Sequence, residues 1–135
     1  EALRASLHTV GTSLGLAFQL RDDVLGAFGD PAQTGKPSGD DLIAGKRTVL
    51  LGLALRDAPP PAAEALRGLL GRDLDDAELA TARAILTDSG ALTEVERQIA
   101  EHRDSALEQI AGLPVSDAAR ADLTTLAHQI TDRQK

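Results

Sequence analysis

Cysteine, methionine, tryptophan and tyrosine are all absent from this chain of 135 residues, and Phe18 and Phe28 are its only aromatic side chains. Without cysteine there is neither a disulfide nor a thiolate metal site, which fits an intracellular protein. Without methionine, and with Glu1 at its start, the chain is expected to be part of a longer protein, because an initiator methionine is not normally trimmed before a bulky Glu. No apolar run approaches the ~18 residues of a membrane span. No signal-peptide pattern opens the chain, so the expected location is cytoplasmic. Basic charge is also short, with 14 Lys and Arg against 21 Asp and Glu and a formal net charge of −7. That balance argues against nucleic acid as a partner, since phosphate backbones attract basic surfaces. A small anion held by a few local cations remains compatible with it.

Leu and Ala dominate the apolar residues, and the scarcity of aromatic and β-branched side chains favours helix over sheet. The length suits one domain. A first helix is expected from about Ala2 to Gly26, with Leu3, Leu7, Val10, Leu14, Ala17 and Leu25 as its apolar stripe. Gly11 and Gly15 fall within it, where they could let a neighbouring helix approach. The segment GDPAQTGKPSGD, 29–40, cannot continue the helix, because prolines, glycines and small polar residues mark a structured loop. A second helix is expected near Gly45 to Arg56, and a short one after Pro59 to Pro61 that ends at Gly71. Asp75 with Glu78 reads as a capping box opening the next helix, up to Gly90. A long amphipathic stretch then runs from about Leu92 to Ile110, and Ser116 caps a last helix. The expected fold class is all-α, with about six helices.

Three Asp-Asp pairs occur. Asp75-Asp76 lies at a helix start, where carboxylates complement free N–H groups. Asp40-Asp41 ends the Gly/Pro loop and can cap the next helix. Asp22-Asp23 lies more than four turns inside the first helix, where neither explanation applies. At about 100° per residue, Gln19, Asp22, Asp23 and Gly26 share a face. Two readings stay open there. One is a solvated polar stripe. The other is a cation seated over the pair, since adjacent carboxylates repel and resist desolvation.

The loop downstream bears on that choice through Lys36 in TGKPSG and through Lys46 and Arg47 in AGKRT. Hard oxygen ligands suit Mg²⁺, which takes one or two carboxylates together with substrate phosphates. Lysines serve such a site as point charges for phosphate oxygens. At about 4 Å and an effective dielectric of about 20, each lysine–phosphate pair gains on the order of 4 kcal/mol before desolvation. The loop is not a Walker A sequence, since G-x-x-x-x-G-K-[S/T] is not met and no strand precedes it. On residues alone, a magnesium-assisted diphosphate site and a purely structural loop are both compatible. His8, His102 and His128 are isolated and carry no metal spacing.

The run FQLRDDVLGAFGDPAQTGKPSGDDLIAGKRT, 18–48, resembles the second aspartate-rich region of the trans-isoprenyl diphosphate synthases, or polyprenyl synthetases. That family reads FQ-x-x-DD-x-x-D, then GD, then GK-x-x-G-x-DL, then GK-x-T. The tail SGALTEVERQIAEHRDSALEQIAGLP is compatible with the end of such enzymes. The resemblance implies the C-terminal helices of the isoprenoid synthase fold over 1–135, usually in a homodimer. It implies Mg²⁺-dependent condensation of an allylic diphosphate with isopentenyl diphosphate, the first ionising and the double bond of the second attacking. By the same resemblance Asp22 is a metal ligand and Asp23 its neighbour at the metal. Gln19 and Asp41 support metal waters and the diphosphate, and Lys36 and Lys46 flank the allylic diphosphate. Phe18 lies beside the substrate or in the core.

Two departures stand out. Gly26 occupies the place of the family's third aspartate, and TVLLGLAL lacks a proline common there. The family's first aspartate-rich motif and isopentenyl diphosphate site precede Glu1, so these 135 residues alone are expected to turn nothing over. Two other readings remain: a non-catalytic helical subunit or interaction module of the same fold, and a related terpene enzyme that ionises a diphosphate but forms a different bond.

Overall fold

In a computed structural model that describes residues 1–134, the first helix, α1, runs Ala2–Phe28 and carries the acidic doublet six residues before its end. It is followed by α2 (Pro31–Thr34), α3 (Asp40–Ala44), α4 (Val49–Asp57), α5 (Pro60–Leu69), α6 (Asp76–Asp88), α7 (Ala91–Ala111) and α8 (Asp117–Thr131). The described residues thus hold eight helices and no strand, an all-α architecture.

The count exceeds the expected six because the Gly/Pro segment is not wholly irregular. Asp30 caps α2, its carboxylate accepting from Ala32 N at 3.0 Å, and Pro31 opens the helix where its missing N–H costs nothing. The helix expected from Gly45 to Arg56 starts later, and a short helix, α3, precedes it. Gly45 ends α3, and α4 begins four residues later, capped by Thr48, whose Oγ1 accepts from Leu51 N at 3.1 Å. The capping box at Asp75 and Glu78 forms as expected, and so does the Ser116 cap of α8.

The chain divides into two units. The first comprises Glu1–Arg21 and Arg97–Arg133. Its core holds Val10 and Leu14 of α1, Ala106 and Ile110 of α7, Leu113, and Ala127 of α8. Arg120 stitches the turn before α8, donating to the carbonyls of Leu113 at 2.8 Å and Val115 at 3.2 Å. Arg21 Nε donates to Thr131 O at 2.7 Å, satisfying a carbonyl at the end of α8. Leu7 of the expected stripe is 40% exposed, and Gly11 and Gly15 face open space, with nothing described near the place of a side chain at either.

The second unit comprises Asp22–Glu96 with Gln134 among the described residues. In it α4, α5 and α6 pack against one another. Leu50, Leu51 and Ala54 of α4, Ala63 and Leu66 of α5, and Leu79, Ala82 and Leu86 of α6 are buried. Each fully buried leucine is worth about 1.5–3 kcal/mol relative to its exposed state. This packing fixes the frame on which α3, the following turn and the start of α4 are carried.

Candidate functional site

The two carboxylates of the doublet part company. Successive helical residues point about 100° apart, and here that angle separates a buried acid from a half-buried one. Asp23 is 4% exposed, and its Oδ2 accepts from the backbone N–H of Val49 at 3.4 Å. Val49 is the first residue of α4, so Asp23 faces the positive end of that helix. Asp22 instead faces Lys46, whose Nζ lies 3.7 Å from Asp22 Oδ2. The doublet is tolerated inside a helix because each acid has its own source of positive potential.

Lys46 is delivered there by backbone chemistry. Gly45 takes the left-handed conformation at φ 67°, its N–H donating to Leu42 O at 3.1 Å. The N–H of Lys46 donates to Asp41 O at 3.0 Å. This pair of bonds is a Schellman motif, and glycine suits its left-handed position because a Cβ there is strained. The turn brings residue 46 back over residue 41. Lys46 Nζ accordingly lies 3.9 Å from Asp41 Oδ2 as well, between the two acids.

Asp41, in the first turn of α3, is 9% exposed. Its Oδ2 is buried and accepts no hydrogen bond. Burial pushes its carboxyl above the ordinary carboxylate range; Lys46 pulls it back, and the charges of Asp40, Asp22 and Asp23 raise it further. The Asp41 carboxylate lies directly over Gly26 of α1: a Cβ on Gly26 would fall 2.0 Å from Asp41 Oδ2.

The other expected residues are placed differently. Lys36 is exposed, its backbone N–H donating to Thr34 Oγ1 at 3.2 Å, and its ammonium pairs with no described acid. Phe18 and Gln19 belong to the first unit, both exposed. Phe18 is 43% exposed, so it is not a core residue, and the Arg133 guanidinium lies 4.4 Å from its ring centre. Among the described residues no three His, Asp or Glu side chains gather to hold a metal ion unaided. Two features escape the sequence reading. A groove of about 310 Å³ is lined by Lys46, Arg47, Thr48, Leu51, Leu55 and Leu70. Arg83 of α6 donates to Ala27 O at 2.7 Å and to Ser38 Oγ at 2.8 Å, tying the end of α1 to the Gly/Pro loop. Its burial lowers the guanidinium's pKa. An arginine on an amphipathic helix has no local pattern announcing such a task.

The family model described as polyprenyl synthetase matches residues 1–86. The chain belongs to the polyprenyl synthetase family. Other similarities agree. A geranylfarnesyl diphosphate synthase of Aeropyrum pernix is 37% identical over 117 residues, covering 87% of this chain and 36% of the relative. A geranylgeranyl diphosphate synthase of Mycobacterium tuberculosis is 37% identical, covering 99% of this chain and 37% of that one. The crystal structure of a geranylgeranyl pyrophosphate synthase from Corynebacterium glutamicum, complexed with isoprenyl diphosphate and magnesium, superposes with a TM-score of 0.91 at 44% identity. That match covers 96% of this chain and 37% of the other. The helices of this chain are therefore those of the isoprenoid synthase fold. The chain spans little more than a third of the curated relatives it matches first, 36% to 38% of their length. No described helix is long and apolar enough to cross a membrane.

Proposed function

We propose that residues 1–135 are the C-terminal part of a prenyl diphosphate synthase domain that condenses an allylic diphosphate with isopentenyl diphosphate, with Mg²⁺ as cofactor and a homodimer as the working form. The observation that carries this reading is the position of Lys46 Nζ, 3.7 Å from Asp22 Oδ2 and 3.9 Å from Asp41 Oδ2. A cation already stands between two oxygen donors, and one of those oxygens is buried without a hydrogen bond. Such a donor set fits Mg²⁺, which needs only one or two carboxylates when phosphates complete its shell. Asp22 and Asp41 would hold the ion, and Asp23 supports them from the buried side. When bound, the ion supplies positive charge that stabilises the departing diphosphate.

The chain's own groups do the remaining work. The Lys46 side chain is 44% exposed, which leaves it room to turn from the acids to a phosphate oxygen. Lys36, exposed on its turn, supplies a second ammonium to the same diphosphate. Gln19 orients water at the metal, and Phe18 offers a ring face to the allylic chain. Preorganised cations of this kind lower the barrier by stabilising charge as it develops on the leaving group. In the intact enzyme the bond from the allylic carbon to diphosphate oxygen breaks, and the double bond of isopentenyl diphosphate supplies the electron pair for the new carbon–carbon bond. A proton is then lost to the released diphosphate.

The test is Asp22→Ala in the full chain, assayed for prenyl transfer at saturating Mg²⁺. The expected outcome is a loss of at least a hundredfold in kcat/KM, in proportion to the removal of one group that positions charge at the leaving diphosphate. A normal rate would overturn the assignment and favour the non-catalytic module.

A further inference from the structure

The last turn of α1 lacks what a helix end needs. The carbonyl of Ala27 would ordinarily accept from the N–H four residues on, but residue 31 is proline and has none. Ala27 is 2% exposed, so solvent offers its carbonyl little, and no basic residue of α1 faces the negative end of the helix. Arg83, from α6, supplies both the donor and the charge. Its Nε donates to Ala27 O at 2.7 Å, and its guanidinium carbon lies 5.9 Å from the centre of the Phe28 ring. The other arm of the guanidinium, Nη2, donates to Ser38 Oγ at 2.8 Å. No described carboxylate pairs with it, and burial alone lowers its pKa. Leu79, four residues earlier on the same face of α6, meets the loop one residue further on: a Cβ on Gly39 would fall 2.5 Å from Leu79 Cδ1. One face of α6 thus holds the loop at Ser38 and Gly39, and through Arg83 it also holds the end of the helix that carries Asp22.

Lys36 stands two residues before Ser38, with Pro37 between them. Proline fixes its own φ, and two residues reach at most about 7 Å even when extended, so where Ser38 is held Lys36 is held too. On its other side the N–H of Lys36 donates to Thr34 Oγ1 at 3.2 Å. We propose that Arg83 is a positioning residue for the diphosphate site: by bridging Ala27 O and Ser38 Oγ it fixes the spacing between the acidic end of α1 and the loop that carries Lys36. In this role Arg83 touches neither metal nor diphosphate and acts through Lys36. A planar guanidinium suits the task, because its donors have fixed geometry and reach two acceptors on different segments. An ammonium is a point charge on a flexible stem and does not hold two such acceptors in register. This rests on the metal–diphosphate reading above and adds to it the residue that sets the distance between its two parts.

The experiment measures binding of inorganic pyrophosphate with Mg²⁺ by calorimetry on the full chain, at a temperature where circular dichroism shows each variant folded. The proteins are wild type, Lys36→Ala, Arg83→Lys, Ser38→Ala and the double variant Lys36→Ala with Arg83→Lys. The expected result is a weakening of about fivefold or more in Arg83→Lys, the factor that a lost hydrogen bond of ordinary strength corresponds to. Ser38→Ala should show a smaller loss in the same direction. With Lys36 already removed, Arg83→Lys should weaken binding no further. A merely structural role would lower the melting temperature of Arg83→Lys and leave its pyrophosphate affinity at the wild-type value, which would overturn the inference. So would a full loss from Arg83→Lys in the Lys36→Ala background. Ser38→Ala removes a single hydroxyl, so it keeps the test alive if Arg83→Lys does not fold: wild-type affinity there overturns the inference. If wild type binds no magnesium pyrophosphate, or Lys36→Ala binds it as well as wild type does, the functional reading of Lys36 falls and the role of Arg83 with it. If Lys36→Ala weakens binding while Arg83→Lys and Ser38→Ala do not, only the role of Arg83 falls.

Discussion

Asp22 and Asp23 are adjacent and alike in charge, and their surroundings differ. Asp23 is 4% exposed and accepts the N–H of Val49, so it acts as a bond between α1 and the start of α4. Removing one partner of a buried hydrogen bond to a charged group costs about 1–3 kcal/mol. Asp23→Ala in the full chain is therefore expected to lower unfolding stability by about that amount, while Asp23→Asn, which keeps an oxygen acceptor, recovers most of it. Asp22 pairs with a lysine whose side chain is 44% exposed. Such pairs contribute about 1 kcal/mol or less. Asp22→Ala should thus change stability little and activity greatly. Denaturant melts of the three variants check this, and an Asp22 variant less stable than Asp23→Ala would reverse the division of roles. The doublet was visible in the sequence; its division was not, because it depends on where residue 49 lies.

Among the elements, the α3–Gly45–Lys46 turn matters most. Gly45 adopts φ 67°, and a Cβ there would stand 3.1 Å from the Cα of Gly71. A left-handed residue other than glycine costs about 1–2 kcal/mol. Gly45→Ala is expected to lose about that much stability and to turn Lys46 away from Asp22 and Asp41. It should raise KM for the allylic diphosphate more than it lowers kcat. Steady-state kinetics with the allylic substrate varied check this, and an unchanged KM would show that the turn does not set the lysine. The capping box of α6 and the serine cap of α8 were readable beforehand, since donor and acceptor lie three residues apart in the chain. The break between α3 and α4 was not. The sequence pattern makes Gly45 the start of a helix, and only the bonds from Gly45 N–H to Leu42 and from Lys46 N–H to Asp41 make it the end of α3 instead.

For the whole molecule, the decisive facts are charge and extent. A net charge of −7 concentrates the burden of anion binding on a few cations, of which Lys46 is held among acids and Lys36 is exposed. The chain covers 37% of the length of the Corynebacterium synthase it superposes on. The 135 residues purified by themselves are expected to yield no prenyl product from allylic and isopentenyl diphosphates with Mg²⁺. A radiolabelled product assay checks this, and turnover by preparations free of longer chain would overturn it. Composition, periodicity and local pattern by themselves determined the all-α class, the principal helices and their local caps, because those depend on residues a few positions apart; the resemblance of residues 18–48 to a known motif pointed to the family. Only the tertiary structure decided which acid of the doublet is buried, which carboxylate lies over Gly26 and which lysine faces them. Those contacts join residues 22, 23 and 26 to 41, 46 and 49, and it is packing, not local pattern, that brings such distant positions together.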